Sequence, residues 1–173
     1  MSDSALFKQS FAPIANDGCR LLILGSLPGD ISLQHGHYYA HPRNAFWPIL
    51  SHILETDLTQ LPFAERYPIL LAHGIALWDV VQQATRKGSL DSALSDVETN
   101  PLQELIKQMP QLELVIFNGQ TAAKHGKRLI PGYVNTGVAP SSSPAYTLHY
   151  EKKCLQWQAL INAHVYPKSR LRK

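Results

Sequence analysis

Four short apolar runs punctuate the chain: residues 20–24, ending at Gly25; 75–78; 114–117, ending at Asn118 and Gly119; and 133–138. The first three are continuous rather than alternating, the pattern of parallel strands covered on both faces. Helical patterns lie between them. Residues 46–54 place Phe46, Ile49, Leu50 and Ile53 on one face. Residues 63–73 form a second candidate, interrupted by Pro68. Residues 101–109 follow Asn100, a good cap, with proline at the first helical position. Residues 120–129 follow the third run, and 151–165 close the chain. The polar stretch 87–99 reads as a long loop. Strands alternating with helices predict an α/β fold, a parallel sheet with helices on both faces. In such a sheet ligands bind beyond the carboxyl ends of the strands. The segments from Gly25, Asp79, Asn118 and Ala139 onward are therefore where chemistry is expected.

Composition narrows this picture. A length of 173 residues fits one domain, spanning 1–173, and 45% hydrophobic residues supply a core. The longest apolar stretches are far too short to span a bilayer, so no membrane role is expected. The N-terminus lacks a basic start followed by an apolar run, so no signal peptide is expected. Cys19 and Cys154 are too few for a disulfide framework or a four-cysteine iron–sulfur cluster. A cytoplasmic protein is expected. The net charge of +3 permits nucleic-acid binding without demanding it, and the tail residues Lys168, Arg170, Arg172 and Lys173 carry much of the excess.

Two loops stand out. The first runs Gly25-Ser26-Leu27-Pro28-Gly29, then Tyr38-Tyr39-Ala40-His41-Pro42-Arg43-Asn44-Ala45-Phe46-Trp47. A glycine-bounded turn after a strand exposes backbone N–H groups, but it lacks both the dinucleotide and the P-loop fingerprints. The aromatic segment is more telling. Aromatic faces stack bases, and an amide both donates and accepts hydrogen bonds. The plainer reading makes Phe46 and Trp47 the start of a core helix with Asn44 as its cap. The second loop, Ala139-Pro140-Ser141-Ser142-Ser143-Pro144-Ala145-Tyr146, is stiffened by prolines and carries hydroxyls that can bond phosphates. His35, His37 and His41 cluster in sequence, but a metal site needs convergent ligands, and none is expected. Arg86, Ser89 and Asp91 read as a loop tied by an ion pair.

Together these loops resemble the uracil-DNA glycosylase superfamily, and within it the hypoxanthine (deoxyinosine) branch. The segments 74–80, 86–91 and 117–119 also fit. The likeness runs from about Arg20 through the serine loop, and the aromatic-Asn segment is its most specific part. The resemblance implies a three-layer α/β/α sandwich with a central four-stranded parallel sheet. It also implies monofunctional base excision: a damaged nucleotide is flipped from DNA and its N-glycosidic bond hydrolysed, with no cofactor.

The same resemblance assigns roles. Many relatives place Asp or Asn in the first glycine motif to orient water; Leu27 stands there and cannot do so. In the hypoxanthine branch Asn44 would take over. Many relatives begin the late loop with a histidine that stabilises the leaving base; Ala139 stands there, so donors must come from the backbone near Ser26 and Leu27 or from another side chain. The base pocket is expected from Gly25, Ser26, Leu27, Pro28, Tyr38, Tyr39, Phe46, Asp79 and Asn118. DNA contacts are expected from His41, Arg43, Ser141, Ser142, Ser143 and Tyr146, the last as a wedge. Asp79 either reads the base edge or caps a helix beginning after Trp78. The expected partner is DNA carrying a deaminated base, met by a monomer. The alternatives are a uracil or mismatch glycosylase, a nucleotide-binding α/β module, and a DNA-binding protein without catalysis.

Overall fold

The computed structural model describes residues 6–86 and 88–164. Its centre is a four-stranded parallel sheet in the order β3-β2-β6-β7, from β2 (Leu21–Gly25), β3 (Ile75–Asp79), β6 (Leu114–Asn118) and β7 (Asn135–Ala139). The apolar strands β2, β3 and β6 are buried at every position, which explains their unbroken hydrophobic runs. Alternate side chains feed two cores. On one face Leu21, Ile23, Leu77 and Ile116 pack with Phe46, Trp47, Ile49, Leu70, Trp157 and Ile161. These belong to α2 (Phe46–Leu54), α3 (Phe63–Ala72) and α6 (Tyr150–His164). On the other face Leu22, Leu24, Val115 and Phe117 pack with residues of α4 (Leu102–Lys107) and α5 (Gln120–Gly126). This is the expected three-layer sandwich.

The register aligns the functional ends. Gly25 pairs with Asp79, and Asn118 pairs with Ala139. Because Leu24 pairs with Phe117, the carboxyl ends of all four strands lie level. Everything that follows them in sequence is delivered to one rim.

Several expectations need correction. The polar region is not one loop: a second sheet, three-stranded and antiparallel in the order β1-β4-β5, is built from β1 (Leu6–Gln9), β4 (Val81–Arg86) and β5 (Ser95–Thr99). Its strands carry few apolar residues and form because the chain leaving β3 stays hydrogen-bonded: Val80 N–H donates to Gly25 C=O and Val81 N–H to Ser26 C=O. A short helix, α1 (Asp30–His35), lies between the glycine turn and the aromatic segment. Asn100 does not cap α4; its amide nitrogen donates to Asp79 C=O at 2.8 Å and to the Ser10 hydroxyl. The fourth strand starts at Asn135, and Tyr133 is exposed. Pro68 sits inside α3 without ending it. Beyond Gly126 the fifth helix tightens into a 3₁₀ turn, Lys127–Leu129. Val165 and the basic tail lie outside the described residues, as does Lys87. No helix among the described residues is long and apolar enough to cross a membrane.

Candidate active site

Gly25 ends β2 where two other groups crowd in. A Cβ built on it would lie 2.6 Å from Asp79 Oδ1 and 2.9 Å from the Tyr39 hydroxyl oxygen. Only glycine leaves that space open. The turn that follows is held from behind by the small sheet. Ser26 donates to Asp91 Oδ1 at 2.7 Å. The Leu27 side chain is buried against Val81 and Ala84, which ties the turn to the small sheet. Arg86 is fully buried; it donates to the Pro28 and Gly88 carbonyls and pairs with Asp91 at 3.4 Å. Lys8 of β1 binds the Asp30 carboxylate and the Gly88 carbonyl, and Ser89 accepts from Asp30 N–H. The expected ion-paired loop is therefore present, and it serves as a clamp on the glycine turn.

The adjacent tyrosines divide their work. Tyr38 is a correction to the expected base pocket. It is 4% exposed within the core, its hydroxyl donates to Ala12 C=O, and its own carbonyl accepts from Trp47 Nε1. Tyr39 has a left-handed backbone, φ 53°, and 6.2 Å from the Tyr38 ring lies its own. That ring stacks on Phe46 at 4.1 Å and 26°. Phe46 is completely buried, so the expected stacking role cannot be its own in this arrangement; the half-buried Tyr39 covers it.

Asp79 is 3% exposed and its Oδ2 has no hydrogen-bond partner among the described residues. Burial, reinforced by the nearby Asp91 charge and offset by Arg86, pushes its carboxyl up to about 7. The capping alternative for Asp79 falls: β3 runs through Asp79 and β4 starts at Val81, so no helix begins there. The Tyr39 hydroxyl is also buried without a hydrogen bond; the Asn118 amide approaches it without hydrogen-bond geometry.

The aromatic-Asn segment and the serine loop meet. Ala45 N–H donates to Ser142 C=O at 2.9 Å. Asn118 grips Ser142 with both ends of its amide, Nδ2 to the hydroxyl and Oδ1 from the N–H, each at 2.9 Å. Ser142 is 1% exposed; its expected DNA contact is corrected, because its N–H, carbonyl and hydroxyl are all engaged inside the protein. Asn118 likewise is a tether for this loop before it is a pocket wall. Ser141 and Ser143 each accept a backbone N–H two residues on and keep a hydroxyl proton to donate. Trp157 Nε1 and Lys153 Nζ of α6 bind the Pro140 and Ser143 carbonyls, and Tyr146, 49% exposed, projects beside Lys153.

Asn44 is half-buried; its Oδ1 accepts from Phe46 N–H at 3.0 Å, while its Nδ2 has no partner among the described residues. α2 is capped at Ala45 without a side-chain cap bond, so Asn44 is not the N-cap expected of it; one residue earlier, its amide oxygen steadies the entry to the helix and its amide nitrogen stays free among the described residues. Arg43 is exposed and His41 accepts from Arg43 N–H. Among the described residues no group of three or more His, Cys, Asp or Glu side chains is placed to hold a metal. His37 instead stacks on Phe63 and bonds Tyr67. An apolar depression between β7 and α6, lined by Val138, Gln156, Ala159, Leu160 and Ala163, lies apart from these groups and carries none of the chemistry.

Sequence reasoning did not place Lys153 or Lys8 near the site. Both are buried lysines on amphipathic or short polar segments, and only their tertiary partners distinguish them from solvated ones.

Comparison with known proteins agrees with this geometry. The family model of the uracil DNA glycosylase superfamily matches residues 12–164. A protein of Methanosarcina barkeri named hypoxanthine DNA glycosylase is 38% identical over 80% of this chain and 87% of its own. A namesake from Methanosarcina acetivorans is 33% identical over 90% of this chain and 99% of its own. The solution NMR structure of a Methanosarcina acetivorans protein, described as a candidate uracil DNA glycosylase, superposes with a TM-score of 0.82 at 32% identity, covering 91% of this chain and 98% of that one. With its sheet ends, glycine turn and serine loop so arranged, the chain belongs to the uracil DNA glycosylase superfamily.

Proposed function

We propose that the protein is a monofunctional DNA glycosylase that excises a deaminated base, hypoxanthine foremost, in base excision repair. The observation that carries this is the joining of two loops about a hundred residues apart. Ala45 N–H bonds Ser142 C=O at 2.9 Å, which sets Asn44 and the serine loop on the rim where Asp79 ends its strand. Two relatives bearing the name hypoxanthine DNA glycosylase, at 33% and 38% identity, support the substrate.

In this reading Tyr39 offers its open face to the flipped base. Ionised Asp79 accepts the N1–H of hypoxanthine, where adenine would present a second acceptor and be repelled. Asn44 directs a water at C1′. The C1′–N9 bond breaks as the water oxygen bonds to C1′, the base leaves with the bonding pair, and it takes up a proton. Backbone donors of the Gly25–Pro28 turn face the departing charge. Arg43, His41, Ser141 and Ser143 meet the backbone phosphates, and Tyr146 enters the gap. The protein works in the cytoplasm, as a monomer, without metal.

The test uses duplexes carrying single hypoxanthine, uracil, xanthine or mispaired thymine, with alkali to cut abasic sites. Fastest release of hypoxanthine, unchanged in excess EDTA, is expected. Preferential uracil release would move the protein to the uracil branch. Absence of any abasic site would leave a binding protein.

A further inference from the structure

The Tyr39 hydroxyl and Asp79 Oδ2 are the two buried side-chain polar atoms without a partner among the described residues. Leaving such an atom unsatisfied costs about 1–3 kcal/mol, so two together mark a place where something is still to bind. They are neighbours: Asp79 Oδ1 and the Tyr39 hydroxyl lie 2.6 and 2.9 Å from the position a Gly25 Cβ would take. Tyr39 reaches this point through a left-handed backbone, φ 53°, a conformation that costs on the order of 1–3 kcal/mol in a bulky residue. Stacking on Phe46 at 4.1 Å accounts for the ring but not for the hydroxyl. A phenylalanine would stack as well and bury no polar group.

We propose that the Tyr39 hydroxyl is a positioning residue for Asp79: it donates to one oxygen of that carboxyl when it ionises, leaving the other for the base edge. The inference rests on the reading that the protein excises a base with a lactam edge. A chain of donors stands behind it. Ser142 fixes the Asn118 amide at 2.9 Å on both sides, and Asn118 approaches the Tyr39 oxygen, so that oxygen can accept from Asn118 while its own proton goes to Asp79. A hydrogen bond to an ionised acceptor is roughly twice as strong as a neutral one. It also moves negative charge off the oxygen facing the base, which eases departure of a base that is itself becoming an anion. The other groups facing Asp79 are Asp91 from the 3₁₀ turn Asp91–Ala93, Arg86 from β4 and Tyr38. Asp91 raises its carboxyl and Arg86 lowers it; neither supplies a hydrogen bond to Oδ2.

The experiment compares the full chain with Tyr39→Phe, which keeps the ring. Single-turnover rates on hypoxanthine and uracil duplexes are measured from pH 5 to 9. The wild type should gain hypoxanthine rate as Asp79 ionises. The variant should move that midpoint up by about one pH unit and lose roughly 10-fold in rate near neutrality, the worth of one hydrogen bond, while its melting temperature holds or rises. In parallel, the ¹³C resonance of the Asp79 carboxyl is titrated without substrate, and Tyr39→Phe should raise its midpoint likewise. An unchanged midpoint in that titration overturns the inference, whatever the rates do. A shifted midpoint in a wild type that releases no base would uphold the Tyr39–Asp79 contact and sink the functional reading instead.

Discussion

Asp79 is a carboxylic acid in surroundings that disfavour its charge. Its carboxyl ordinarily loses its proton near 3.8, and burial moves that to about 7. The folded state thus holds a proton that the unfolded state has already released. The contribution of Asp79 to folding stability should be fullest below about pH 4 and be lost as pH rises through 7. Asp79→Asn keeps the shape and cannot ionise. It should be more stable than wild type at pH 8, by at most about 4 kcal/mol, with the gap closing near pH 4 in urea titrations. The same variant should alter the hypoxanthine-to-uracil rate ratio; a fixed ratio would mean the base edge is read elsewhere. Asn44→Ala separates two functions of one amide. Losing the Phe46 N–H contact should cost about 1 kcal/mol, whereas losing the water-directing end should slow single-turnover excision roughly 100-fold. Early melting with near-normal excision would leave only the helix anchor. The sequence marked Tyr38 and Tyr39 alike, because both are tyrosines beside the Pro-Arg-Asn segment. What separates them is a backbone dihedral at Tyr39, and a tyrosine, unlike a glycine, gives no sign of a left-handed turn in its letter.

At the scale of elements, the parallel sheet was legible because its strands are buried on both faces and read as unbroken apolar runs. The antiparallel sheet was not. In β4 the buried positions are Val81, Ala84 and Arg86, with polar residues between, so neither period of two nor an apolar run is present. Its stability comes from pairing with β1 and β5 and from charge: Arg86 is fully buried while Asp91 is 38% exposed. Removing the carboxylate strands the guanidinium. Asp91→Ala should therefore cost about 2–3 kcal/mol, below the usual toll for breaking a fully buried pair because water reaches Asp91. It also frees Ser26 and loosens the glycine turn. Excision should fall more steeply than the unfolded fraction explains, measured by rates at a temperature where the variant is fully folded. Rates matching wild type under that condition would reduce the clamp to a purely structural device.

The whole molecule gathers the groups proposed to face DNA on the rim where four strands end level, and this gives the final prediction its geometry. Arg43 and Tyr146 are exposed there, and Lys153, its ammonium on the Ser143 carbonyl, lies 5.4 Å from the Tyr146 ring. A buried ammonium beneath an exposed ring holds the ring by cation–π attraction, worth about 0.5–2 kcal/mol, and adds positive potential where phosphates pass. The loop is further pinned by Trp157 to Pro140 and by Asn118 to Ser142. A pinned aromatic at the mouth of a base pocket suits a wedge: it can occupy the space a flipped base vacates without first losing its own freedom. Extruding a base from duplex costs a few kcal/mol, and an unpaired strand escapes most of that. Tyr146→Ala should therefore slow hypoxanthine excision from duplex by roughly 10-fold or more while changing single-strand excision about 2-fold or less. Asn44→Ala, acting at the bond that breaks, should depress both substrates alike and so serves as the control. The comparison is a ratio of single-turnover rates at one salt concentration, because phosphate contacts make both rates salt-dependent. If Tyr146→Ala lowers the two rates by the same factor, the ring is not a wedge, and its exposure beside Lys153 serves binding alone.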